Sequence, residues 1–153
     1  MDVNYINPFL SATLNVLKTM ASLELTSDKP FLKKDAVARG DVSGVIGITG
    51  EVTGSLSVSF SFGLIKEIIK NMLGEDISEI TDDVRDAVGE ITNMICGDAR
   101  RMLQESGLSL SAAIPTIVAG KNHTIRHAIR GPIIVIPFHG EKGTAVVEVS
   151  MDG

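Results

Sequence analysis

The sequence holds a single cysteine, Cys96, and no tryptophan. One cysteine excludes an intramolecular disulfide framework and fits a reducing compartment, so a cytoplasmic location is expected. Aromatic residues make up only 4%, too few for a base-stacking platform or a carbohydrate-stacking cleft. There is no basic excess: 14 Lys and Arg stand against 19 Asp and Glu, a formal charge of -5. Broad binding to nucleic acid or to anionic lipid needs a basic footprint, so neither partner is expected. Long apolar runs are missing too. The longest, Ile133 to Ile136 with Phe138 beyond Pro137, is far too short to span a bilayer. The opening MDVNYINPFL has neither a basic n-region nor an apolar h-region, so no secretory signal is expected. No Walker loop, dinucleotide fingerprint or Ser-His-Asp order occurs.

What remains is 153 residues, 44% of them hydrophobic, which fits a single domain over residues 1–153 and excludes intrinsic disorder. The first segment reads as a helix capped by Asn7, with Pro8 in its first turn and Leu10, Leu14, Leu17 and Met20 at helical spacing. Thr26 to Pro30 ends it. Strands are expected at Val42–Thr49 and Ser55–Phe62. In the second, Leu56, Val58, Phe60 and Phe62 alternate with Ser55, Ser57, Ser59 and Ser61, which predicts a sheet with one buried face. A short helix over Leu64–Leu73 stops at Gly74. The longest helix runs from about Thr81 to Ser106, closed by Gly107. Strands follow at Leu108–Ala119, Ile133–His139 and Thr144–Met151, the last two joined by the turn Gly140–Gly143. The basic stretch Lys121 to Arg130 reads as an exposed hairpin arm. This order predicts an α+β two-layer sandwich, with helices on one face of a mainly antiparallel sheet and two similar helix-plus-strands halves.

The long helix carries a polar line. At about 100° per residue, Glu90, Asn93 and Gly97 all lie within about 40° of Asp86. Val84, Val88, Ile91, Ile95, Ala99 and Met102 lie opposite and should face the sheet. A charged line is most often a solvated helix face. Here, though, Gly89 and Gly97 flank Asn93 four residues to either side. A glycine inside a helix costs about 1 kcal/mol against alanine. Two of them on the outer side suggest a rigid ridge that another surface approaches closely.

Asp86, Glu90, Asn93 and Pro115, with 21 residues between the last two, match the active-site signature of the CheC/CheX/FliY phosphatases of chemotaxis, and the chain resembles that family. Four fixed positions match by chance in about one sequence per thousand. Were the first helix a second copy of the motif, Ser11, Asn15 and Lys18 would take its Asp, Glu and Asn places and Gly40 its Pro place. Glu and Asn are then absent, so the resemblance is to the single-site CheX branch. It implies hydrolysis of the aspartyl phosphate of a CheY-like receiver domain. Asn93 would orient the attacking water and Glu90 would contact the receiver's lysine. Asp86 would serve either the site or the helix dipole, and Gly89, Gly97 and Pro115 would shape the surroundings. The resemblance implies no cofactor of the chain's own. The Mg²⁺ of the reaction would belong to the receiver. It also implies a homodimer formed through sheet strands, for which Ile133–His139 or Thr144–Met151 could supply the edge.

Two other functions compete: a response-regulator-binding adaptor without catalysis, and a scaffold module like those of the flagellar switch. No metal is expected. His123 and His127 sit in an extended stretch, about 13 Å apart and beyond a shared ion. His139 stands alone near a turn, and Cys96 reads as a small packing residue.

Overall fold

A computed structural model describes residues 3–34, 40–120 and 132–152. The chain runs α1 (Val3–Ala21), β1 (Thr26–Ser27), β2 (Phe31–Leu32), β3 (Val42–Gly50), β4 (Thr53–Phe60) and α2 (Phe62–Leu73). It continues with α3 (Asp82–Glu105), β5 (Leu110–Ala112), β6 (Thr116–Ala119), β7 (Ile134–Gly140) and β8 (Gly143–Asp152). The expected basic arm, with His123 and His127, lies outside the described residues.

The strands form one antiparallel sheet in the order β1-β7-β8-β4-β3-β5, with β2 also on β7 and β6 also on β3. Helices cover one face. Phe9 and Leu17 of α1, Ile65 and Ile69 of α2, and Ile91 and Ile95 of α3 meet Ile46, Leu56, Phe60, Phe138 and Val147 from the sheet, all essentially inaccessible to solvent. This is the expected α+β architecture.

Local chemistry sets the helix ends. Thr81 caps α3 by accepting the Val84 N–H at 3.3 Å, with Asp82 and Asp83 in the first turn beside the positive end of the dipole. Ser61, expected as the polar side of a strand, instead caps α2 by accepting from Leu64 N–H. Phe62 therefore begins a helix, and Asp41 Oδ2 accepts its N–H at 2.8 Å. The helix α1 begins at Val3, ahead of the expected cap Asn7, and Pro8 lies inside it. The extra turn is held by packing: Ile6 is buried and Tyr5 leans on the core, which offsets the backbone bond that proline removes.

The serine side of the sheet is not the solvated face its alternation predicts. Ser55, Ser57 and Ser59 of β4 are buried, as are Ser43, Glu148 and Ser150 beside them. Ser43 and Ser59 share a 2.6 Å hydrogen bond, whereas the hydroxyls of Ser57 and Ser150 find no partner among the described residues. On that side, Lys33 donates to both carboxylate oxygens of Glu148 at 2.7 and 2.8 Å, with both side chains out of solvent.

The two halves are visible in the topology. Each is a helix, an interrupted edge segment and a hairpin: α1, β1/β2, β3–β4, then α3, β5/β6, β7–β8. Each edge pairs with the other half's hairpin, and β4 and β8 join the halves at the centre. Both interruptions end in proline, Pro30 before β2 and Pro115 before β6. Pro30, not Gly40, is thus the counterpart of Pro115. Gly40 precedes β3, where a Cβ would strike the Phe60 carbonyl oxygen. Counted back from Pro30 at the motif's spacing, Glu90 and Asn93 correspond to Tyr5 and Pro8, so α1 has neither the carboxylate nor the amide. The topology also relocates the edges. The strand β8 is central, and β7 is flanked at both ends by β1 and β2, so neither offers the free edge expected of it.

Candidate functional site

The candidate site is built on α3. Its rear is fixed by Thr92, which is buried, donates to the Val88 carbonyl at 2.7 Å and rests over Gly44. A Cβ at Gly44 would collide with the Thr92 side chain, so the bare glycine lets α3 sit down on β3. With Thr92 inward, Asn93 turns outward.

Asp86, Glu90 and Asn93 are all exposed. Among the described residues, none of the three side chains has a hydrogen-bond or ion-pair partner. Glu90 and Asn93 are three residues apart, about 4.5 Å along the helix and on one face. A carboxylate and an amide thus stand side by side on a rigid, doubly capped helix. The amide can donate and accept at once, and the carboxylate can accept from a cation.

The two glycines do different things. Gly89 is half-buried beneath the chain's own β6: a Cβ there would lie 3.6 Å from Ile117 Cδ1 and 3.9 Å from Pro115 Cγ. The surface that approaches it is internal. A Cβ at Gly97 would meet nothing within 4 Å among the described residues beyond its own helix. It opens a groove of about 430 Å³ between α1 and α3, lined by Asn15, Val16, Thr19, Met94 and the Asp98–Arg101 pair. Ser11 and Lys18 lie on α1 outside this set of lining residues.

Pro115 stands on the opposite flank of α3, in the step between β5 and β6. The expected continuous strand Leu108–Ala119 is broken there. Arg100 Nη1 ties β5, just before the step, to α3 through the Leu110 carbonyl at 3.3 Å. Beneath Arg100, Cys96 is buried, and burial raises its thiol pKa more than the nearby guanidinium lowers it. It is a packing residue. His139 is not alone, since its Nδ1 lies 2.9 Å from Asp28 Oδ2. Among the described residues no three His, Cys, Asp or Glu side chains gather as a metal site, and no helix is long and apolar enough to cross a membrane. Ile114, 89% exposed beside Pro115, drew no attention in the sequence because it fell inside a presumed strand.

A family model described as chemotaxis phosphatase CheX matches residues 42–139, more than half the chain. The CheY-P phosphatase CheX of Thermotoga maritima is 26% identical over 139 residues, 90% of this chain and 88% of that protein. The chemotaxis protein CheX of Vibrio vulnificus is 52% identical and superposes with a TM-score of 0.91, covering 97% of this chain and 99% of the other. A CheX of Borrelia burgdorferi, solved as a complex with CheY, BeF3 and Mg²⁺, is 25% identical with a TM-score of 0.81 over 97% and 98%. With the signature on α3 and the fold shared end to end, the chain belongs to the chemotaxis phosphatase CheX family.

Proposed function

We propose that the chain hydrolyses the aspartyl phosphate of a CheY-like receiver domain, with the chemistry led from α3. The carrying observation is the Glu90–Asn93 pair, exposed and unengaged on a helix whose rear is locked. An acyl phosphate is already activated, so positioning and charge stabilisation suffice. Asn93 holds a water in line with the phosphorus. The water oxygen forms the new P–O bond while the bond to the receiver's aspartate breaks. Inorganic phosphate and a free carboxylate leave. Glu90 accepts from the receiver's lysine and fixes the docked register. The Borrelia complex pairs a relative with CheY and Mg²⁺, which supports a receiver as partner and the cation as the receiver's own. We infer a homodimer as the working unit, to be read by light scattering.

The test is loss of label from radiolabelled, phosphorylated CheY-like receivers, with and without the protein. Wild type should accelerate the loss. Asn93→Ala should abolish most of that acceleration, by about 100-fold or more, while still binding the receiver. Binding without acceleration by wild type would leave the adaptor reading instead.

A further inference from the structure

We propose that Ile114 is an apolar docking anchor for the receiver domain and so a determinant of which receiver is accepted. This rests on the reading of the chain as a receiver phosphatase.

A single surface hydrophobe is ordinary and needs no explanation. Ile114 differs in three respects. It is 89% exposed, against 41%, 54% and 49% for Phe31, Leu32 and Leu73, the other large exposed hydrophobics described. It is not among the hydrophobics packed on the core. It is also held firmly. Pro115 restricts the Ile114 backbone to extended conformations. The preceding Ala113 N–H donates to the Gly47 carbonyl at 3.0 Å, and Arg100 binds the Leu110 carbonyl. Pro115 and Ile117 rest on Gly89 of α3. A β-branched side chain on such a step loses little freedom when it is covered.

The third respect is place. Gly89, on which the step leans, is one helical turn from Asn93. A receiver that takes Glu90 and Asn93 into its phosphorylated site would, on this proposal, meet the step that leans on the same stretch of α3. Its matching surface is an apolar patch beside the phosphoaspartate. An aliphatic anchor there carries binding energy and also excludes water around the polar contacts. Glu90 and Asn93 read features common to any phosphorylated receiver, whereas an apolar patch outside the phosphate pocket can differ from one receiver to the next.

The experiment uses full-length protein and the CheY-like receivers of the same organism, activated with BeF3 for binding and phosphorylated for turnover. Ile114→Ala should weaken binding and raise KM about tenfold, and Ile114→Asp more, with kcat within about twofold of wild type. Both should fold with Tm within about a degree of wild type, because the side chain is 89% exposed. Leu73→Asp, the same kind of change on α2, should leave KM alone. Wild-type turnover with KM unmoved in Ile114→Asp overturns the anchor and leaves the phosphatase standing. Absence of both binding and turnover in wild type overturns the two together.

Discussion

At the scale of single residues, the site separates by role. Glu90→Gln keeps the shape and removes the charge. KM for the phosphorylated receiver should rise about tenfold or more, with a smaller effect on kcat, as steady-state dephosphorylation would read. Asp86 is the open case, exposed and unpartnered near the start of α3. If it serves only the helix dipole, Asp86→Asn should cost about 0.3–1 kcal/mol in urea unfolding and leave kinetics untouched. A fall in turnover would place it in the site. Cys96 was legible as a packing residue, and its thiol should resist Ellman's reagent until the protein unfolds, since burial both hides it and disfavours the thiolate. Ile114 was not legible. Periodicity marks what is buried along a strand and says nothing about a residue that a proline break turns outward.

At the scale of elements, α3 was the most readable part of the chain because its signals are local: a cap, two acids, a continuous apolar stripe and a terminal glycine. Thr81→Ala should cost about 1 kcal/mol, measured by denaturant unfolding. The segments β1 and β2, at two residues each, show no period at all. They exist because β7 offers them hydrogen bonds, which no local pattern encodes. The start of α1 escaped for the same reason, since packing at Ile6 overrode the proline. Gly97 offers a test of the open groove. Alanine there meets nothing, so Gly97→Ala should raise stability by about 1 kcal/mol. If the groove admits the receiver closely, the same change should raise KM for it.

At the scale of the whole molecule, the architecture followed from the order of elements, whereas the buried serine side did not. Alternation identifies two faces and cannot say whether the polar one is covered. The Lys33–Glu148 pair belongs to that covered side. Lys33→Met would take a hydrogen-bonding cation away from the buried Glu148 carboxylate, so unfolding free energy should drop by about 1–3 kcal/mol while turnover at low temperature is retained. A last consequence lies in the two broken edges of the sheet. An uninterrupted edge strand is a template on which other chains can stack without limit. Here each rim is cut into pieces of two to four residues, with a proline at each step. None of the four pieces is long enough to seed a fibril. The step that holds Pro115 against α3 is thus also a guard against aggregation at the rim.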